Sequence, residues 1–272
     1  MCLHPNAVRE ACRVLYDLPE TGNWQVIVTT HSPAFIDVSR DNTTIIRVEQ
    51  LDGNVSGTTI FRPTRAQLDP DDRALIKLLN HFDPYVAEFF FGGKSIIVEG
   101  DTEYTAFKYV MSLRPEKYKN VHVIRARGKA TIVALIKILN HFSSGFSVLH
   151  DSDTPYTTRK GRSIKNPAWA HNEKILTIIN SRPMPTPVRL LASIINFETA
   201  LFNDNLDDEK PYNAILQLQS YPDVLSNVEL LLDSLLDHSI EPPIGICEWN
   251  SIEQLEEYAL IRSPSQVAST NE

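Results

Sequence analysis

Residues 95–103, S-I-I-V-E-G-D-T-E, restrict the possible fold more than any other stretch of the chain. An apolar run bounded by Gly92-Gly93 and Gly100 reads as a short buried parallel strand, because a strand covered on both faces needs no polar side. Cap-type residues follow, and then helical spacing at Phe107, Val110 and Met111, which predicts a helix over residues 102–113. Glu99 then stands at the carboxyl end of a strand and Glu103 in the first turn of the next helix. In open α/β sheets that edge is where ligands bind.

The pattern recurs downstream. Residues 121–124 read as a second strand, and Gly128-Lys129 opens a helix over 130–142 with Ile132, Leu135, Ile136 and Leu139 on its apolar face. Residues 146–150 form a third strand ending in Asp151-Ser152-Asp153. Side chains two apart on an extended chain point the same way, so both aspartates can converge on one cation. Taken alone, D-x-D is equally a turn signal. Two successive strand ends with paired acids are more telling, since such a cluster repels itself unless a cation neutralises it. Ligands that are all oxygen select Mg²⁺ or Mn²⁺ over zinc. Between the acid pairs, residues 114–129 carry Arg114, Lys117, Lys119, Arg125, Arg127 and Lys129 against the single acid Glu116. Such a run is equally a solvated face. The strand-end position of Arg125, Arg127 and Lys129 also sets them on the edge of Glu99, where phosphate can bind.

The remaining elements frame this unit. Residues 6–18 are helical up to Pro19, and 24–29 (W-Q-V-I-V-T) read as a strand that leads to His31. Residues 44–48 and 58–61 form a hairpin around Asp52-Gly53-Asn54. Residues 62–91 read as a helical connector with Leu75, Leu78, Leu79 and Phe82 on one face, and Phe89-Phe90-Phe91 are expected to be buried. Residues 154–166 are a polar, basic loop beside the second acid pair. Either it is a solvated linker or Arg159, Lys160, Arg162 and Lys165 contact nucleic acid. Helices over 169–179 and 251–261, a strand over 188–191, a helical subdomain over 212–236 and a disordered tail over 263–272 complete the chain. A net charge of −8 argues against a uniformly basic nucleic-acid binder. Cys2, Cys12 and Cys247 make no disulfide or metal framework, which suits a reducing cytoplasm. No apolar run reaches about 18 residues and no secretory signal precedes the chain, so no membrane span is expected.

Two resemblances narrow the class. Leu3-His4-Pro5 and V-I-V-T-T-H-S-P at 26–33 resemble the end of an ABC-type ATPase domain, with His31 at the place of the switch histidine that contacts the γ-phosphate. No G-x-x-x-x-G-K-[ST] loop, Walker B acid pair or signature motif accompanies them, so no ATP hydrolysis is expected from this chain. V-E-G-D-T-E at 98–103 and D-S-D at 151–153 resemble the two signature motifs of the Toprim domain of primases, topoisomerases and certain nucleases. An ATPase end followed by a Toprim domain, from Leu3 to roughly Leu201, is similar to the OLD (overcoming lysogenization defect) nucleases. A topoisomerase would require a nucleophilic tyrosine, for which only Tyr104 and Tyr156 lie near the motifs.

The resemblance implies an α/β fold: a Toprim (Rossmann-like) parallel sheet of about four strands flanked by helices, with a helical elaboration and an N-terminal ATPase-domain remnant. The implied units are an ATPase remnant (1–62), truncated or split from its larger part, a helical connector (63–92), the Toprim nuclease domain (93–262) and the tail (263–272). It further implies a DNA endonuclease of phage-defence type that uses two Mg²⁺ or Mn²⁺ ions, with Glu99, Asp151 and Asp153 central and Glu103 and Glu198 completing the second ion's site. Glu198 is equally a helix-start acid favoured by the dipole. Lys210 matches a lysine that steadies the charged transition state, or is simply a surface lysine. A homodimer and control by a separate ATPase are implied as partners. Cleavage of RNA such as tRNA, and a non-catalytic metal-binding module docked on an ATPase, are the competing readings.

Overall fold

The computed structural model describes residues 4–38, 40, 42–51, 54–63, 65–83, 86–182, 186–202 and 209–262. The expected disordered tail, Leu3 of L-H-P, and the Asp52-Gly53 turn lie outside them. Helix α1 (Pro5–Asp17) starts with a proline in its first turn and with the His4 imidazole accepting the Asn6 N–H at 3.2 Å. The expected strand over 24–29 does not form. The segment runs extended without a strand partner among the described residues and leaves Trp24, Ile27 and Val28 exposed. Its β-branched composition favours a pleated, half-buried surface, and no neighbour supplies one. Strands β1 (Ile45–Leu51) and β2 (Asn54–Phe61) pair antiparallel as expected, with an irregularity between Glu49 and Gln50.

Phe61, at the end of β2, ties this hairpin to the rest of the molecule. It is fully buried, stacks on Phe142 at 5.6 Å and meets Phe90 edge-on at 6.2 Å. Helix α2 (Pro70–Phe82) opens with a reciprocal cap, Asp72 N–H to Asp69 Oδ1 at 2.8 Å and Asp69 N–H to Asp72 Oδ2 at 3.0 Å. Its buried face is Asp72, Ile76 and Leu79, not the predicted stripe through Leu78, which is exposed. The cap begins the helix only at Pro70, and a short 3-10 helix (Val86–Phe91) follows α2 in place of one continuous connector. Phe89 and Phe90 are buried and Phe91 is exposed.

Strand β3 (Lys94–Val98), helix α3 (Asp101–Leu113), β4 (Val121–Arg125), α4 (Lys129–His141) and β5 (Phe146–Asp151) follow the predicted alternation within a residue or two. Residues 154–166, expected as a loop, instead form a two-stranded ribbon, β6 (Tyr156–Arg159) and β7 (Arg162–Lys165). Lys160 (φ 51°) and Gly161 (φ 74°) make the tight turn between them, and paired turn residues of positive φ suit a two-residue hairpin. Then come α5 (Trp169–Asn180), β8 (Val188–Ser193), α6 (Phe197–Leu201), α7 (Lys210–Ser220), α8 (Pro222–Leu236), β9 (Ile246–Glu248) and α9 (Ile252–Arg262).

The main sheet has five strands in the order β4-β3-β5-β8-β9. The first four are parallel, and β9 adds an antiparallel edge that the sequence reading lacked. Gly245 (φ 100°) precedes that edge where a Cβ would come within 2.7 Å of the Ala200 carbonyl, so the chain reaches β9 only through a glycine. Two apolar cores flank the sheet. One joins Ile97, Val148 and Leu190 to α2, α4 and α5, and it includes Phe61. The other joins Ile96, Val98, Leu149 and Leu191 to α3, α6, α7 and α8. The connection from β3 runs toward β4, and that from β5 runs toward β8. A crevice therefore opens between the carboxyl ends of β3 and β5, the topological switch point. Among the described residues no helix is long and apolar enough to cross a membrane.

Candidate active site

Four carboxylates meet at that crevice. Glu99 follows β3, and its Oε2 accepts the Asp151 N–H at 3.1 Å, which joins the two strand ends directly. Asp151 Oδ1 accepts the Phe197 N–H at 2.8 Å from the first turn of α6. Glu103, in the first turn of α3, is 4% exposed, and its carboxylate folds back over Gly100, where a Cβ would lie 2.9 Å from Oε2. Glu198 is 6% exposed, and its Oε1 accepts the Thr102 hydroxyl at 3.0 Å. Lys210 Nζ approaches the same oxygen to 3.5 Å. The structure thus brings Glu99, Glu103, Asp151, Glu198 and Lys210 together, although Glu198 and Lys210 lie 47 and 59 residues beyond Asp151.

Asp153 departs from the expected geometry. Its positive φ of 59° breaks the strand alternation that would have aimed it alongside Asp151. Its carboxylate instead pairs with the Lys129 ammonium. Among the described residues no three acidic, histidine or cysteine side chains converge as ligands of one ion. The donor set nevertheless fits a hard divalent cation by its chemistry, since it offers carboxylate oxygens only and its charges repel one another. Burial, with the Glu99 and Glu198 charges nearby, pushes Glu103 up to about 7. Burial and the charges of Glu103, Glu99 and Glu198 raise Asp151 well above the ordinary aspartate range. Glu99 is raised too, chiefly by burial, against the pull of Lys129.

These shifts give a sign for pH dependence. A carboxyl raised from 4.5 to about 7 holds its proton more tightly in the folded than in the unfolded chain. Its contribution is complete below pH 4.5 and is lost as pH rises through about 7. Thermal unfolding in a chelator is expected to show a falling midpoint between pH 5 and 7.5, and Glu103→Gln is expected to flatten that slope and raise the midpoint at pH 8. A wild-type profile flat across this window contradicts the assignment.

The cations expected at phosphates divide into three groups. Lys129 is buried and committed to Asp153, so it is not a solvent-facing phosphate ligand. Arg125 pairs with Asp101 at 2.9 Å and lies over the Tyr104 ring at 5.0 Å. Arg127 is exposed, as are Arg159, Lys160, Arg162 and Lys165 on the β6–β7 ribbon. There Arg159 and Arg162 stand directly opposite each other. Tyr156, at the ribbon's base, donates to Glu256 at 2.9 Å, and Tyr104 lies under the Arg125 guanidinium. His31 lies on the exposed N-terminal segment.

Sequence reasoning missed the residues behind the D-S-D turn. His150 and Asn172 are fully buried. Burial pushes the His150 imidazole down to about 3, and its Nδ1 stands 2.7 Å from the Asp151 carbonyl. Asn172 Nδ2 donates to the Ser152 carbonyl at 2.9 Å. The one available signal was a histidine as the last residue of an otherwise apolar strand.

Residues 90–153 match the family described as overcoming lysogenization defect protein-like, TOPRIM domain. Over 156 residues the chain is 28% identical to an OLD nuclease of Thermus scotoductus, an alignment covering 56% of this chain and 29% of that protein. The chain therefore spans under a third of the length of the curated relative it matches. The matched window contains Glu99, Glu103, Lys129, Asp151 and Asp153, while Glu198 and Lys210 lie beyond it.

Proposed function

We propose that this chain, an OLD-family protein with a Toprim domain over residues 90–153, is a divalent-metal-dependent endonuclease that hydrolyses phosphodiester bonds of DNA. The observation that carries this reading is the meeting of Glu99, Glu103, Asp151 and Glu198 at the sheet's switch point, the first three of them within the matched residues 90–153. These carboxylates would hold two ions, Mg²⁺ or Mn²⁺, with Asp153 joining them once its carboxylate parts from the Lys129 ammonium. When bound, such ions supply Lewis acidity at the phosphoryl group and lower the pKa of a bound water.

The chain's own residues do the rest. Glu103, pushed up to about 7, and Asp151, raised well above the ordinary aspartate range, must give up their protons for a cation to be held, so binding is expected to strengthen as pH rises. Lys210, half exposed beside Glu198, is placed to meet a non-bridging oxygen as negative charge develops. The β6–β7 ribbon offers Arg159, Lys160, Arg162 and Lys165 to backbone phosphates, and Arg127 stands exposed near the mouth of the crevice. Phosphate contacts of this type predict weak sequence preference and steep salt dependence. The exposed apolar side chains Trp24, Ile27, Val28, Ile46, Val48 and Ile60 support reading residues 1–62 as part of an ATPase fold completed by a separate domain or polypeptide.

The decisive assay incubates supercoiled plasmid, and in parallel matched RNA, with Mg²⁺ or Mn²⁺. Nicked and linear plasmid is the expected product. Inertness on DNA with every divalent ion refutes the reading, and cleavage of RNA alone replaces it with a ribonuclease. Arg159→Ala with Arg162→Ala is expected to reduce the slope of log affinity against log salt by about 2, one per phosphate contact. A slope unchanged in that double variant removes the ribbon from the interface.

A further inference from the structure

We propose that His150 and Asn172 are positioning residues of the acid cluster: from the far side of the sheet they hold the Asp151 and Ser152 carbonyls, and so fix where the two aspartates of D-S-D point. The inference rests on the nuclease reading above.

Strand alternation puts His150 and Asp151 on opposite faces of β5. Asp151 faces the crevice with α6, whereas His150 lies on the side of α5 and meets Trp249 edge-on at 5.5 Å. His150 and Asn172 each act through the main chain, by way of the Asp151 and Ser152 carbonyls. The chain needs such a brace there. Sheet pairing stops at Asp151 opposite Ser193, and two residues later the backbone is in the left-handed region at Asp153.

The peptide N–H groups of the turn are held from β8. Ser152 N–H donates to the Ser193 carbonyl at 2.9 Å, and Asp153 N–H donates to the Ile195 carbonyl at 3.0 Å. The Ser152 hydroxyl accepts the Ile195 N–H at 2.8 Å. The carbonyls of Asp151 and Ser152 are held instead by His150 and Asn172, at 2.7 and 2.9 Å. All five restraints act on three residues, and two of those residues carry the candidate ligands.

A packing role alone accounts poorly for these side chains. His150 Nε2 and Asn172 Oδ1 are buried and without a hydrogen-bond partner among the described residues. An unpartnered buried polar atom destabilises a fold, and an apolar side chain of similar shape would avoid that cost. Polar groups kept at such a price in stability belong where the remaining polar atom sets a geometry, as the outer partners of metal ligands do.

The test is a Mn²⁺ titration read in two ways, by direct binding to the protein without DNA and by the concentration giving half-maximal plasmid nicking. His150→Phe and Asn172→Leu are expected to unfold at or above the wild-type temperature, yet to weaken Mn²⁺ binding and raise the half-maximal concentration by roughly 10- to 100-fold. His150→Asn, whose amide stands near the position of the imidazole Nδ1, is expected to restore both readings to within about threefold, following the donor geometry of the two side chains. Mn²⁺ binding equal to wild type in His150→Phe and Asn172→Leu overturns the inference and leaves the nuclease reading standing. Equal losses in His150→Phe and His150→Asn also overturn it, since shape and not the donor would then matter. If His150→Phe does not fold, Asn172→Leu and His150→Asn carry the same comparison. Wild-type protein that neither binds Mn²⁺ nor nicks DNA overturns the nuclease reading itself.

Discussion

Asp151→Asn is expected to lose metal-dependent cleavage by on the order of 10³-fold or more, the scale on which charge-stabilising groups act in such sites. The amide keeps an oxygen to accept the Phe197 N–H that Asp151 Oδ1 takes at 2.8 Å, so α6 stays docked. What disappears is the negative charge, and with it the ligand strength. The same change is expected to raise the thermal midpoint of the metal-free protein at pH 8. There the wild-type site buries Asp151 and crowds it against Glu103, Glu99 and Glu198, and burial first, repulsion second, hold its proton tightly. Activity and stability therefore move in opposite directions. Steady-state nicking assays together with calorimetry on one preparation check both. A variant that cleaves within tenfold of wild type removes Asp151 from the reaction.

The largest stability effect is expected at Arg189, 2% exposed in the middle of the sheet on β8. Its Nη1 donates to the Ser234 carbonyl at 2.6 Å and the Ile240 carbonyl at 2.8 Å, at and beyond the C-terminal end of α8, and its Nε donates to Glu248 Oε2 at 3.0 Å. One guanidinium thus closes the last turn of a helix, the loop after it and the edge strand. The Glu248 side chain is 54% exposed and regains water when the arginine is removed, whereas the Ser234 carbonyl is buried and does not. The loss therefore comes mainly from the carbonyls. Arg189→Ala is expected to destabilise the fold by about 3 kcal/mol, near the lower end for breaking a buried charged network. For a chain of this length that is a fall of roughly 6–12 °C in Tm. Glu248→Ala is expected to cost less than Arg189→Ala, because the guanidinium keeps its carbonyl acceptors and loses a partner only at Nε and Nη2. Equal effects of the two variants in thermal or urea unfolding would assign the stabilisation to the ion pair instead.

Three of the parallel strands were legible because burial on both faces leaves short apolar runs, residues 96–98 in β3, 148–149 in β5 and 190–192 in β8; β4, half-buried at the sheet edge, was read from Val121, Val123 and Ile124. β9 was not, since three residues, Ile246–Glu248, show no period, and only their pairing with β8 makes them a strand. The error at residues 24–29 runs the other way: strong β composition met no partner. At the site, acid identity and strand-end position pointed to Glu99, Glu103 and Asp151. The turn at Asp153 was hidden because a positive φ at aspartate leaves no mark in the residue string. The buried pairing of Lys129 was hidden for a similar reason, since a cation that opens a helix reads as exposed until its partner is known. Glu198 and Lys210 entered only through family resemblance, because nothing local distinguishes an acid in a helix's first turn from a ligand.

The hydrogen bond from Thr102 to Glu198 joins residues 96 apart in the chain. Most of the four parallel strands must be laid down and crossed over before that contact can close. The cluster is thus a late product of folding, and structures of such high contact order form slowly. A ribosome that has delivered β3 through β5 has delivered Glu99, Glu103 and Asp151 but not the helix that seats Glu198. During synthesis, then, β3 through β5 present three of the four carboxylates, and the fourth can join them only when the chain has passed β8 and reached α6.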